Sequence, residues 1–107
     1  MYNQTAIYCR TNDYDRAGMN KQKDTLVRFA REQGYRNIEI YADYGYCAQN
    51  SRRPTFVQLG KAIRAGKVTR VLVLGITRFG RDTAEVMRWM GENGVEIYTL
   101  DARKLLS

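Results

Sequence analysis

The sequence predicts an α/β fold, in which one domain holds a mainly parallel four-stranded sheet with helices on both faces. Short apolar, β-prone segments alternate with segments of helical periodicity, and this order is typical of parallel strands joined by right-handed crossovers. One of these segments, 70–75, is almost wholly apolar, as expected for a strand buried on both faces. A length of 107 residues suits a single domain.

The first half of the chain contains a predicted strand, helix and second strand. The run Thr5–Cys9 is short and β-prone, and residues 37–42 place apolar side chains on one face, so both segments are predicted strands. A loop over 13–18 separates the first strand from a helix over 19–33, which Gly34 ends. The residues at helical spacing that predict this helix are Met19, Leu26, Phe29, Ala30 and Gln33.

The second half continues the alternation. Pro54 fits the first turn of a helix that carries apolar side chains on one face and stops at Gly66. The remaining predicted elements are the strand at 70–75, a helix at 82–90, a strand at 95–100 and the beginning of a helix in the tail 101–107. The sequence shows no internal repeat and no linker, so a single domain is expected.

Composition and charge restrict the class of protein. With 44% hydrophobic and 27% charged residues, the chain is globular rather than disordered. Its net charge is +7, and arginine supplies 13 of the 18 basic residues, which favours an acidic partner such as nucleic acid. Two cysteines and no histidine predict neither a disulfide framework nor a zinc site, and no cofactor is expected. Without a signal peptide or an apolar span, we expect a cytoplasmic protein with no membrane contact.

Arginines follow each of the first three predicted strands. Arg10 follows the first strand, Arg52 and Arg53 end the loop after the second, and Arg78 and Arg81 lie in the loop after the third. Because the carboxyl ends of parallel strands meet at one edge of a sheet, these side chains are expected to converge. Guanidinium groups bind phosphate oxygens well, and phosphate could also approach the helix starts near residues 54 and 82. The alternative is that the arginines simply point into water.

Three segments, "AIYCRTN", "YADYGYCAQNSRRPTFVQL" and "VLVLGITRFGRDTAEV", resemble the N-terminal catalytic domain of serine recombinases, the resolvase and invertase family. The resemblance extends from Ala6 to Asp101. It implies an enzyme fold in which a serine hydroxyl attacks a DNA phosphodiester, while arginines hold the phosphate and stabilise the transition state. The residues that match family positions are Tyr8, Arg10, Gln22, Arg53, Pro54, Arg78, Gly80 and Arg81. The resemblance implies that Arg10, Gln22, Arg53, Arg78 and Arg81 contact DNA phosphate.

The sequence departs from the family pattern where the chemistry is expected. Asn12 occupies the position of the nucleophilic serine, and an amide cannot serve as that nucleophile. Thr77 and Tyr44 occupy the positions of two acids, although Asp43 stands next to Tyr44. Cys47 and Ala48 replace a Ser-Gly pair. We therefore predict a catalytically impaired member that keeps its phosphate-binding arginines.

Other functions remain open at this level. Thr11 could replace the serine if the loop shifts by one residue. Cys47 and Arg53 have the Cys-x5-Arg spacing of cysteine-dependent phosphatases. The alternative function is therefore an active phosphoryl-transfer enzyme that uses Thr11 or Cys47. A third possibility is an interaction module without DNA chemistry. The expected partners are the DNA phosphate backbone and a second copy or a full-length recombinase. The chain is expected to be a single resolvase-like catalytic domain over 1–107, without a dimerisation helix or a separate DNA-binding domain.

Overall fold

The computed structural model describes residues 4–11, 15–44, 54–75, 79, 83–100 and 103–106. The elements are β1 (Gln4–Arg10), α1 (Arg16–Glu32), β2 (Ile38–Asp43), α2 (Pro54–Arg64), β3 (Val68–Val73), α3 (Thr83–Glu92), β4 (Glu96–Thr99) and β5 (Arg103–Leu106). The predicted alternation of strand and helix is confirmed. In the sheet order β2-β1-β3-β4-β5, the first four strands are parallel.

The prediction of a helix in the tail is wrong. Arg103–Leu106 forms β5, which pairs antiparallel with β4 and makes the sheet five-stranded. Only residues 100–102 connect the two strands, and so short a connection favours an antiparallel neighbour. A few residues form a marginal helix on their own, whereas the free edge of β4 offers them backbone hydrogen-bond partners.

Helix α1 begins at Arg16, three residues earlier than predicted and inside the segment expected to be a loop. Asp15 is its N-cap, and the Asp15 carboxylate accepts a hydrogen bond from the Gly18 N–H at 2.8 Å. A Cβ at Gly18 would overlap that carboxylate, so glycine leaves room for the cap. At the other end, the predicted stop is confirmed, because Gly34 adopts φ 79° and donates its N–H to the Arg31 carbonyl.

The two faces of the sheet have separate cores. Alternating residues of β1 contribute to both, since Ala6 and Tyr8 face the α2 and α3 side whereas Ile7 and Cys9 face α1. The predicted burial of the third strand is confirmed, because Val71, Leu72 and Val73 are fully buried. Within the described part of the chain, no helix is long and apolar enough to cross a membrane.

The connections change direction between β1 and β3. From β1 the chain crosses to β2 on one side, and from β2 it returns past β1 to β3 on the other. In open α/β sheets, ligands bind at the carboxyl edge beside such a reversal. The residue at the carboxyl end of β1 is Arg10.

Candidate functional site

Arg10 is held at the carboxyl edge of the sheet and is almost fully buried, with 5% of its surface exposed. It lies opposite Asp43 in the β1–β2 register. The side-chain amide of Gln22, on α1, contacts the Arg10 main chain twice: the Gln22 Oε1 accepts from the Arg10 N–H at 3.4 Å, and the Gln22 Nε2 donates to the Arg10 carbonyl at 3.1 Å. Arg10 and Gln22, two predicted site residues, are thus brought together.

Asp43 joins three elements of this edge. Its buried carboxylate accepts hydrogen bonds from the Tyr8 hydroxyl at 2.8 Å and from the N–H groups of Thr55 and Phe56, each at 3.0 Å. A carboxylate at this position satisfies donors of the first helical turn and interacts favourably with the helix dipole. Asp43 therefore fixes the start of α2 against β1 and β2.

This arrangement changes the expectation for the start of α2. Phosphate was predicted to approach the helix starts near residues 54 and 82, but two N–H donors of α2, those of Thr55 and Phe56, are occupied by Asp43. The protein's own carboxylate thus takes the place of an external anion at these donors. The helix α3 begins at Thr83, and residue 82 lies outside the described part of the chain.

Tyr8 is a core residue whose hydroxyl reaches the site. Its side chain is fully buried, and its ring centroid lies 5.2 Å from that of Phe56. Phe56 in turn packs 6.4 Å from Phe79. Phe79 is 1% exposed and belongs to the core between the sheet and helices α2 and α3. A buried aromatic side chain thus lies at position 79, which falls between the predicted site residues Arg78 and Arg81 in the sequence.

The positions expected to carry substituted chemistry divide between the described and the undescribed parts. The Thr11 N–H donates to the Asp43 carbonyl at 3.2 Å, which extends the β1–β2 pairing by one step. Tyr44, at an expected acid position, accepts a hydrogen bond from Lys23 Nζ at 3.4 Å, and that ammonium lies 5.6 Å from the Tyr44 ring centroid. The other predicted positions lie outside the described residues: Asn12, Cys47, Ala48, Arg52, Arg53, Thr77, Arg78, Gly80 and Arg81.

The sequence analysis did not predict the structural roles of Asp43 and Phe79. Asp43 was noted only as the neighbour of Tyr44, because its hydrogen-bond partners Tyr8 and Phe56 are distant in the sequence. One signal was available: an acid at the end of a strand, before a helix that lacks acids of its own in its first turn. Phe79 is the one aromatic residue in the segment 76–81.

A family model matches nearly the whole chain. The model described as "Resolvase, N terminal domain" matches residues 5–105. No relative is found among curated protein sequences.

Solved structures share the fold. The N-terminal catalytic domain of TP901-1 integrase is 24% identical, covers 94% of this chain and 80% of its own, and has a TM-score of 0.86. The C-terminal catalytic domain of ISC1926 TnpA, an IS607-like serine recombinase, is 23% identical over 91% of this chain and 67% of its own, with a TM-score of 0.85. A resolvase family site-specific recombinase from Streptococcus pneumoniae is 24% identical over 94% and 74%, with a TM-score of 0.76.

Proposed function

We propose that this chain, which belongs to the family of resolvase N-terminal domains, binds the DNA phosphate backbone at the carboxyl edge of its sheet without cutting DNA through a serine. The family is one of site-specific recombination. The observation that carries the proposal is Arg10, a cation at the end of β1 beside the reversal of the strand order, with its main chain held by Gln22. We place this activity in the cytoplasm.

The proposed phosphate ligands are arginines from successive loops. Arg10 supplies the first guanidinium, and the sequence places Arg53, Arg78 and Arg81 after the next two strands. A guanidinium presents a planar fork of donors that pairs with two phosphate oxygens at once. Gln22 belongs to the same site through its contacts with Arg10.

The proposed loss of strand cleavage rests on Asn12. The family's chemistry needs a hydroxyl that attacks phosphorus, and a carboxamide is a poor nucleophile for that step. Arginines without a nucleophile can still bind phosphate. We propose that the domain acts in recombination by binding DNA and by pairing with a second copy or with a full-length recombinase.

The DNA-binding proposal is tested with a fluorescent duplex, whose anisotropy is measured over a range of salt concentrations. We expect Arg10→Lys, which keeps the charge and loses the fork, to weaken binding, and Arg10→Ala to weaken it further. Arg10→Ala should also reduce the slope of log affinity against log salt by about 0.9, the value for one lost phosphate contact. The matched control is Arg36→Ala, an exposed arginine between α1 and β2, at the opposite edge.

Two results would overturn the DNA-binding proposal. One is wild-type protein with no salt-sensitive affinity for the duplex, which would favour a protein interaction module. The other is an Arg10→Ala variant that binds like Arg36→Ala. Because Arg10 is buried, circular dichroism must first show that each variant is folded.

The proposed lack of cleavage has its own test. Wild-type protein is incubated with recombination-site DNA, and covalent adducts are sought after denaturation. We expect none from the wild type, and an adduct from Asn12→Ser when the domain replaces its counterpart in a full-length recombinase. A wild-type adduct that Thr11→Val or Cys47→Ser abolishes would instead show an active phosphoryl-transfer enzyme.

A further inference from the structure

The Gln22 side chain uses both ends of its amide on one residue. Its oxygen accepts from the Arg10 N–H and its nitrogen donates to the Arg10 carbonyl. Gln22 is 7% exposed and Arg10 is 5% exposed, so these contacts form where water has little access. A primary amide carries the same acceptor and donor as a peptide group.

The direction of the backbone groups in β1 explains why the Gln22 amide can reach the Arg10 main chain. In a parallel ladder, the N–H and C=O of one residue face the same neighbouring strand, and the next residue faces the other. The Thr11 N–H bonds to the Asp43 carbonyl on β2, so the Arg10 groups face the β3 side. Among the described residues, the β1–β3 register pairs Ile7 with Leu72. The Gln22 amide contacts the Arg10 peptide groups beyond this pairing.

We infer that Gln22 is a positioning residue for Arg10: it fixes the Arg10 peptide so that the guanidinium meets the phosphate, and it is not itself a phosphate ligand. The inference rests on the proposed function and revises the role of direct contact that the family resemblance implies for Gln22. A direct ligand would bind phosphate whether or not Arg10 is present. A positioning residue acts only through Arg10.

This distinction is tested by a double-mutant cycle of Gln22→Met and Arg10→Ala. Methionine keeps the length of glutamine and removes both hydrogen bonds. With a fluorescent DNA duplex as the probe, we expect Gln22→Met alone to weaken affinity by about tenfold, as for a lost phosphate contact. In the Arg10→Ala background it should change affinity less than twofold, by about 0.4 kcal/mol or less. Gln58→Met, at an exposed position of α2, is the matched control.

Hydrogen exchange of the Arg10 amide gives a second readout that needs no DNA. We expect Gln22→Met to speed this exchange about tenfold or more, while the Leu72 amide in the middle of the sheet keeps its wild-type rate. If Gln22→Met folds poorly, Gln22→Glu is measured in the same way, because it keeps an acceptor for the Arg10 N–H and loses the donor to the Arg10 carbonyl. Its Arg10 exchange should lie between those of the wild type and Gln22→Met.

The outcomes separate this inference from the proposed function. Additive losses of DNA affinity in the cycle would make Gln22 an independent ligand and overturn the inference, as would an unchanged Arg10 exchange rate. Wild-type protein without salt-sensitive DNA affinity would overturn the proposed function alone, since the exchange rates still decide whether Gln22 holds Arg10.

Discussion

The two edges of the sheet use arginine in different ways. Toward the amino edge, Arg70 of β3 has protein partners on several sides: Glu96 Oε1 and Thr5 Oγ1 each lie 3.3 Å from its guanidinium. The Tyr35 ring centroid lies 3.9 Å from the Arg70 Cζ, and that of Tyr98 lies 6.0 Å away. At this edge an arginine is matched by an acid and stacked on aromatic rings.

At the carboxyl edge, the acid and the arginine have different tasks. The Asp43 carboxylate accepts from a tyrosine hydroxyl and from two N–H groups of α2. Arg10 lies beside it in the register, and Gln22 holds its main chain. The polar side chains of Asp43 and Gln22 thus hold the backbone on either side of Arg10. Burial alone therefore does not distinguish Arg70, which has a structural role, from Arg10, for which we propose phosphate binding. The contacts around the two residues distinguish them.

The largest effect on stability at the carboxyl edge is expected from Asp43→Asn. An asparagine turns its NH2 toward at least one of the donors that Asp43 now accepts, so the free energy of unfolding should fall by about 2–3 kcal/mol. Urea denaturation measures this loss. Asp24→Asn removes the same charge from an exposed position of α1 and should change stability by less than about 0.5 kcal/mol.

The DNA affinity of Asp43→Asn tests whether the substitution strengthens or weakens binding. Removing a negative charge should strengthen DNA binding if charge alone matters, and Asp24→Asn measures that contribution. We expect folded Asp43→Asn to bind more weakly than Asp24→Asn, because the start of α2 is no longer fixed. Equal affinities would mean that Asp43 stabilises the fold without shaping the site.

A smaller effect is expected from Arg70→Met. The variant loses a cation–π contact and a partly exposed ion pair with Glu96, together worth about 1–2 kcal/mol. The buried Arg70 Nε has no hydrogen-bond partner among the residues that the structure describes, so removing it offsets part of that loss. We expect the free energy of unfolding, measured by urea denaturation, to fall by about 1 kcal/mol. The DNA affinity of Arg70→Met should equal that of the control variant Arg36→Met. If Arg70→Met instead weakened DNA binding as much as we expect of Arg10→Ala, the two edges would not differ in function.

Periodic patterns explain why the order of elements could be predicted. Apolar alternation in β1 and the apolar run of β3 are local signals, and the structure confirms both strands. The helix prediction for the tail was wrong because the secondary structure of these residues depends on the edge of β4, with which Leu106 and Lys104 pair. No local pattern in four residues contains that information.

The candidate site could be predicted only in part, for a similar physical reason. The topology rule placed Arg10 at the carboxyl edge from its position after a strand. The hydrogen bonds that organise this edge join residues distant in sequence, such as Tyr8 and Asp43, which are 35 positions apart. The structural role of Arg70 was missed likewise, since its stacking partner Tyr35 follows another element.

The smallest expected effect is a pH dependence of the amino edge. Burial, followed by a hydrogen bond with Tyr98, raises the pKa of Tyr35 above its usual value of 10.0, and the Arg70 charge opposes the rise. A phenol with a raised pKa in the folded state contributes stability that is complete below the unfolded value and is lost as the pH rises through the folded value. The free energy of unfolding should therefore fall as the pH increases above about 10, and it should fall less steeply in Tyr35→Phe.

A second tyrosine supplies the control for this pH dependence. Burial and the Glu39 charge raise the pKa of Tyr41, so Tyr41→Phe should flatten the same part of the curve. The two differ in their response to Arg70: in Arg70→Met, the absorbance titration of Tyr35 should move to higher pH, because the opposing charge is gone, while that of Tyr41 stays in place. A Tyr35 titration that ignores Arg70→Met would mean that the guanidinium does not act on that ring. The effect of the Arg70 charge on Tyr35 would then drop out of the comparison between the two edges.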